Sequence, residues 1–501
     1  MAERLLAFDL GAESGRALLG TLTADGLAVE VLHRFPNGPV RVGAHLYWDV
    51  LRLWSEMKDG LARAAATGPL ASVGVDSWGV DIALLGRGGV LLGNPRHYRD
   101  PHTETIQEEV LARVPAADIF AATGLQFMRF NTLFQLLALQ RDRSPLLEET
   151  QTLLMIPDLF HHWLGGTLGV EVTNASTTQC LDPRSATWAT GLLERVGLPC
   201  DWFGPLVPPG TRIGELRGDL AAESGLGPVP IVAPATHDTA AAVVGTPGTG
   251  TDWCFLSSGT WSLMGVELPE PVITPAVQQA NFTNELGYGG TTRFLKNVMG
   301  LWLVQECRRA WQREGHDFSY EELARLAEAA PAHAALVDPD HASFMLPASM
   351  PAALAEFCRQ SHQPIPTTPG GFIRCALESL ALRYRWVVDQ LEQLTGRTLR
   401  VIHVVGGGSQ NRLLNQLTAD ATGRLVLAGP VEATAMGNLV TQHPGPGGRP
   451  HLPPARNPAG NQDDPPQHLP QKPPPLGNQK KPLPRQARQE HQQRVNRRFF
   501  R

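Results

Sequence analysis

The chain contains no Gly-Lys dipeptide, so a Walker A loop, which needs that pair to cradle and pin a phosphate, is excluded. It has no CxxC pair either. Its six cysteines, Cys180, Cys200, Cys254, Cys307, Cys358 and Cys375, are scattered, which points to reduced, buried thiols rather than a zinc knot or a disulfide framework. No apolar run is long enough to cross a bilayer, and Asp9 interrupts "MAERLLAFDL" too early for a signal peptide. A cytoplasmic protein without a membrane partner is the expectation. Charged residues make up only 18% of the chain against 42% hydrophobic, the balance of a globular fold, and 501 residues exceed one ordinary domain. The net charge of -5 is uneven: residues 443–501 carry 11 Lys and Arg against 3 Asp and Glu, so everything before them is acidic. An acidic body lacks the basic surface that phosphate backbones require, which argues against a nucleic-acid partner.

What is present reads as alternating strands and helices. "RLLAFDLGAESGRALLGTLT" and "VEVLHRF" have strand character, Leu51 to Ala66 has helical spacing, and "ASVGVDSW" is again strand-like, which is the grammar of an α/β layer fold. "CFLSSGTWSLMGVEL", Cys254 to Leu268, repeats the apolar run, small-residue turn and second apolar run of the first hairpin, so two halves on a similar plan are expected. The turn-rich "VGTPGTGTD" places their boundary near Gly245 to Gly250, giving domains 1–247 and 248–442. Arg374 to Thr395 reads as a core-facing helix closed by Gly396, and Leu399 to Val405 as a buried strand. Residues 443–501 include 14 prolines and no apolar periodicity, so they are expected to be disordered, without regular packing. A shifted reading frame in GC-rich DNA would write the same kind of segment, and both origins stay open. A proline-rich arm for SH3-like partners, "KPPPLGNQKKPLPR", is a lesser possibility.

Four turns and one helix could carry chemistry. At "DLGAESGR", Asp9 to Arg16, small residues at a hairpin tip let backbone N–H groups approach phosphate, Arg16 adds positive charge, and Asp9 could hold magnesium through water. "LSSGTWSLMG", Leu256 to Gly265, offers a second such turn. "GGGSQN", Gly406 to Asn411, allows a nucleotide to approach the backbone but has Asn411 where the dinucleotide fingerprint needs glycine. "VPIVAPATHDTAAAVVG", Val229 to Gly245, runs a buried strand into His237, Asp238 and Thr239, and a carboxylate there can take the proton of an attacking hydroxyl or cap the following helix. "FLKNVMGLWLVQECRRAWQ" reads as one helix with Asn297 and Gln305 on a shared face. Taken singly, each is also an ordinary turn, cap or surface amide.

Taken in order, these segments resemble the carbohydrate kinases of the family that includes glycerol, xylulose and rhamnulose kinases. The resemblance implies an α/β fold of two ribonuclease H-like domains, as in actin and hexokinase, with MgATP and a keto sugar meeting in a cleft. It assigns "DLGAESGR" to a first phosphate loop, "SSGTWSL" to a second, "VVGGGSQN" to an adenosine loop, and the catalytic base to Asp238 of "THDTA". "VGVDSWGVDIALL", "RHYRD", "FNTLFQL", "TNASTTQ" and "AGPVEATAMGN" look particularly like the rhamnulose-kinase branch. By that match Gly79, His237, Asp238, Thr239 and Asn297 face the sugar, while Ala12, Glu13, Ser14, Gly15, Arg16, Thr260, Gln305 and Gly407 or Gly408 face ATP. The match runs from about residue 4 to 438, so no helix is expected to follow "EATAMGN". A kinase for L-fuculose and a non-catalytic actin-like ATP-binding protein remain as rivals, which sugar-dependent ATP turnover would separate.

Overall fold

Strands form where apolar residues run without the 3.6-residue period, and the first of them, "ERLLAFDL", is buried on both faces from Leu5 to Leu10. In the computed structural model the described residues are 2–24, 26–443 and 466–471. Among them, 2–250, 265–297 and 429–443 pack as one unit, and 251–264, 298–428 and 466–471 as a second. In chain order the first unit opens with β1 (Glu3–Leu10), β2 (Ser14–Thr23), β3 (Gly26–Pro36), α1 (Val50–Ala65), β4 (Ser72–Ser77), β5 (Thr211–Glu215), β6 (Pro230–Ala233) and α2 (Asp238–Val244). The second unit begins with β7 (Trp253–Ser258), and β8 (Trp261–Leu268) carries the chain back to the first, where β9 (Thr283–Leu286) and β10 (Thr292–Met299) form a hairpin. Next come α3 (Trp302–Arg313), α4 (Pro369–Thr395), β11 (Val401–Val405), α5 (Arg412–Thr422) and β12 (Leu425–Ala428) of the second unit, α6 (Ala433–Gln442) of the first, and β13 (Gln467–His468) of the second.

The first unit is built on a sheet of order β5-β6-β4-β1-β2-β3. β1, β4 and β6 are parallel, so their carboxyl ends share one edge, where open α/β sheets bind ligands. α1 forms because Val50, Leu53, Met57, Leu61 and Ala64 recur at helical spacing and are buried, while the Asp49 side chain caps the first turn by accepting from Arg52 N at 3.1 Å. Each large side chain so buried contributes about 1.5–3 kcal/mol. α6 lays Leu439 and Val440 on Leu5, Ala7 and Leu27. Its last residue, Gln442, donates to Leu6 O at 3.0 Å and to Asn438 Oδ1 at 2.6 Å, and accepts from Ser72 Oγ at 2.7 Å.

In the second unit β7, β11 and β12 are parallel neighbours. Thr368 caps the 27-residue α4, whose Gly396, at φ +70, supplies the left-handed turn that ends it. Among the described residues no helix is long and apolar enough to cross a membrane. Five cysteines are buried and Cys200 is half-buried; all six are free thiols.

Three expectations change. "FLKNVMGLWLVQECRRAWQ" is not one helix: β10 ends at Met299 and α3 starts at Trp302, so Asn297 and Gln305 share no helix face. Seven of the eight residues from Thr292 to Met299 are buried, Lys296 among them, which a one-faced helix does not give and a covered strand does. Gly300 lies between them, where only glycine fits, since a Cβ there would meet the Trp261 backbone at 2.6 Å. The helix containing "EATAMGN" does not stop at Asn438. It runs on to Gln442, held by the contacts of Leu439 and Gln442 given above. Third, Gln467 and His468 pair antiparallel with Leu427 and Val426, so the expectation of no regular packing after His443 fails there, because the open edge of β12 offers backbone partners. Otherwise the expectations for residues 444–465 and 472–501, disorder, a frameshift and a proline-rich arm, fall outside the described residues.

Candidate active site

At the carboxyl edge of the first sheet, register alone brings three acidic residues near one another. Asp9, second to last in β1, pairs with Asp76 in β4, and Ser77 bridges in parallel to His237, the residue before Asp238. Arg16, opposite Asp9 on β2, makes ion pairs with Asp9 and with Glu432, while Arg34 lies 3.7 Å from Glu432. Asp76 is fully buried; its Oδ2 accepts from Asn438 Nδ2 at 2.5 Å and its Oδ1 has no partner. Burial first, then the charge of Asp9, raises the Asp76 pKa well above the usual range, against the pull of Asn438 and Arg16.

Asp238 opens α2 at the end of the strand-turn "PIVAPATH". The N-cap position belongs to His237, whose side chain makes no capping bond. Asp238 Oδ1 instead accepts from Thr239 N at 2.6 Å and Thr239 Oγ1 at 3.3 Å, which leaves its other oxygen for chemistry. The Asp238 side chain is 31% exposed. Its pKa is raised by the crowding of its buried side; His237 pulls it down and Asp9 pushes it up again. A base that is harder to keep ionised is also a better proton acceptor.

The remaining residues expected to face sugar lie in the same unit. Gly79 is half-buried against Thr177, whose methyl a Cβ would meet at 2.9 Å, and Thr177 Oγ1 accepts from Val80 N at 2.9 Å. Thr239 is buried beside Asp238. Asn297 is half-buried on β10, its N–H donating to Gln126 Oε1 at 2.8 Å and its amide to the same oxygen at 3.3 Å. Next to Gly79, Asp81 is fully buried and accepts from Trp48 Nε1 at 2.5 Å, Trp78 Nε1 at 3.0 Å and Gln135 Nε2 at 2.9 Å. Desolvation nonetheless outweighs these donors and lifts its pKa to about 7.

Of the residues expected to face ATP, Ala12, Glu13 and Ser14 form the half-buried tip of the first hairpin, which Asn37 braces through Glu13 O at 2.9 Å and Gly11 O at 2.8 Å. Gly15 is buried, and a Cβ there would sit 2.1 Å from the Phe35 ring, so its smallness serves packing. In the second unit Thr260 sits at the tip of the β7–β8 hairpin, and its carbonyl accepts from Gly300 N at 3.1 Å and Trp302 N at 3.2 Å at the start of α3. Gln305, one turn into α3, is buried and its Oε1 has no partner. The glycine run packs on the same hairpin: a Cβ on Gly408 would fall 2.0 Å from Ser258 Oγ, whereas Gly407 is exposed with nothing within 4 Å. Gly407 is therefore the glycine of that run open to a ligand.

Sequence reasoning passed over Asp76, Glu285, Arg293, Glu432 and Asn438. Asp76 and Asn438 lay in strings read only for resemblance; Glu285 and Arg293 acquire meaning only from cross-strand pairing.

Residues 5–245 match the N-terminal domain, and residues 254–443 the C-terminal domain, of the FGGY family of carbohydrate kinases. The chain belongs to this family. It is 45% identical over 443 residues to the rhamnulokinase of Bacteroides thetaiotaomicron, covering 88% of this chain and 90% of that protein. With the rhamnulokinase of Bacillus subtilis the identity is 38% over 437 residues, covering 87% and 89%. The ligand-bound xylulose kinase of Lactobacillus acidophilus superposes with a TM-score of 0.75 at 15% identity, covering 94% of each chain, a likeness of fold alone.

Proposed function

We propose that the protein transfers the γ-phosphoryl group of ATP to L-rhamnulose, giving L-rhamnulose 1-phosphate and ADP, in rhamnose catabolism. The carrying observation is the near full-length identity to rhamnulokinases. The Asp238 carboxylate takes the proton of the attacking sugar hydroxyl, the oxygen bonds to the γ-phosphorus, and the bond to the bridging oxygen of ADP breaks. His237, Thr239, Gly79 and Asn297 hold the sugar. Ala12 to Arg16, Thr260, Gln305 and Gly407 hold ATP, with Gly408 supporting the loop from beneath.

A magnesium ion fits the donors at the strand ends. Asp9, Asp76 and Asp238 are oxygen ligands of the hard type that this ion selects, and their mutual repulsion is what a cation would relieve. Asp9 would hold it, through water, and when bound it neutralises charge on the phosphates. The chemistry belongs in the cytoplasm, where ATP is available.

The test is a coupled ADP-release assay over a panel of ketoses and polyols. L-rhamnulose should give the highest kcat/KM. Glycerol, D-xylulose or L-fuculose winning by tenfold, about 1.4 kcal/mol of transition-state discrimination, would overturn the assignment.

A further inference from the structure

Asn297 sits where the β9–β10 hairpin runs out of strand. In its register Thr283 stands opposite Leu295 and Glu285 opposite Arg293, whose side chains form a buried ion pair at 3.1 Å. Continuing that register by two residues would set Asn281 opposite Asn297. Asn281 instead ends the short helix Pro275–Ala280 in the left-handed region, at φ +54, and β9 begins only at Thr283. The N–H and C=O of Asn297 are left to find partners elsewhere, because unpaired backbone groups away from water are costly.

A side chain supplies both. Gln126 Oε1 accepts from Asn297 N at 2.8 Å and Gln126 Nε2 donates to Asn297 O at 3.2 Å, so one primary amide stands in for the peptide group of the missing strand residue. The same Oε1 accepts from Asn297 Nδ2 at 3.3 Å. That third bond orients the Asn297 amide: its nitrogen lies toward Gln126, which leaves Oδ1, an acceptor, on the other arm. Asn297 is the one residue of β10 that is not buried.

The support is itself braced. Gln126 is buried, and its carbonyl accepts from Asn131 Nδ2 at 2.9 Å, which also donates to Gln179 Oε1 at 2.9 Å. The displaced Asn281 returns to the neighbouring residue: its Oδ1 accepts from Phe127 N at 2.8 Å and its Nδ2 donates to Phe127 O at 3.3 Å. Lys296 Nζ donates to Ala280 O at 3.1 Å and Asn281 O at 2.9 Å, which fixes the helix end on β10.

We infer that Gln126 is a positioning residue that replaces the missing strand partner of Asn297 and presents Asn297 Oδ1 as the acceptor of a sugar hydroxyl. This rests on the kinase reading above, which sets Asn297 on the sugar.

Gln126→Leu removes the amide while keeping much of its volume. In the full chain without sugar or ATP, hydrogen exchange at the Asn297 N–H, read by mass spectrometry, should be about tenfold faster than in wild type. KM for the ketose should rise about tenfold or more while KM for ATP stays within about twofold. Because three lost bonds can cost the fold, Q126E is measured beside it. It keeps the oxygen to which Asn297 N and Nδ2 donate, so its rise in ketose KM should be smaller, about threefold. In an N297A background, Q126L should cost less than about twofold more in ketose kcat/KM, since its effect runs through the Asn297 side chain. Unchanged exchange, an ATP KM rising as far as that of the ketose, or a loss that persists in full in N297A would overturn the inference. Faster exchange in Q126L, from a wild type that phosphorylates no ketose, would sink the kinase assignment instead.

Discussion

Gly437→Ala puts the packing under α2, the helix that Asp238 opens, to a quantitative test. α6 crosses α2 so closely that a Cβ on Gly437 would lie 1.8 Å from Ala241 O and 2.5 Å from Ala241 C. Both obstacles are backbone, so no side chain can swing aside and the helices must part by about 1 Å. Overpacking of this kind costs about 1–3 kcal/mol, and a collision with backbone belongs at the upper end. Against it stands the gain of about 0.5–1 kcal/mol from replacing a helical glycine by alanine. The expected net loss is about 2 kcal/mol, or roughly 2 °C in Tm for a chain of this size. Since α2 begins at Asp238, the same displacement should lower kcat by at least about tenfold, misplacement by 1 Å being worth on the order of 10². Gly191→Ala is the control: it lies in the helix Thr190–Val196 with nothing within 4 Å of its Cβ, and should be neutral or stabilising by up to about 0.5 kcal/mol. Thermal unfolding by circular dichroism and the ADP-release assay measure both. A G437A protein as stable as wild type with unchanged kcat, or the two variants shifting Tm in the same direction by the same amount, would refute the reasoning.

Asp238→Asn should leave sugar and ATP binding within a few-fold and cut kcat by on the order of 10² or more; near-normal turnover would mean that the carboxylate only serves the helix start. Asp81 binds its proton more tightly folded, with a pKa of about 7, than the ordinary value of 3.8, so the stability it contributes is fully present below that lower value and is lost as pH rises through 7. Urea titrations from pH 4 to 7 should therefore show Asp81→Asn removing a decline of about 1.4 kcal/mol per pH unit, and parallel slopes in the two proteins would contradict this. Gln442→Ala leaves Leu6 O, Ser72 Oγ and Asn438 Oδ1 without their buried partner and should cost about 2 kcal/mol or more in urea unfolding; a loss under about 0.5 kcal/mol would show that water replaces the amide.

Local pattern was enough for much of this protein. Hydrophobic period placed α1 and the length of α4 from Arg374 onward, small-residue turns between apolar runs placed both hairpins, and the order of those turns carried the kinase reading, because each depends on residues close together in the chain. "FLKNVMGLWLVQE" resisted such reading: Lys296 and Asn297 separate apolar pairs at helical spacing, and only burial on both sides, Lys296 included, makes it strand up to Met299. Tertiary structure alone decided which glycine is open and which is filled. Gly407 and Gly408 are indistinguishable as letters, yet one faces open space and the other lies against Ser258. It also decided the partners of the charges, setting Asp76 beside Asp9 through parallel register and Glu285 against Arg293 and His237 across a hairpin. The physical reason is the range of the forces. Helix and turn preferences are summed over neighbouring residues, whereas the desolvation and Coulomb energies that set an acid's charge depend on groups that meet only when the sheet closes.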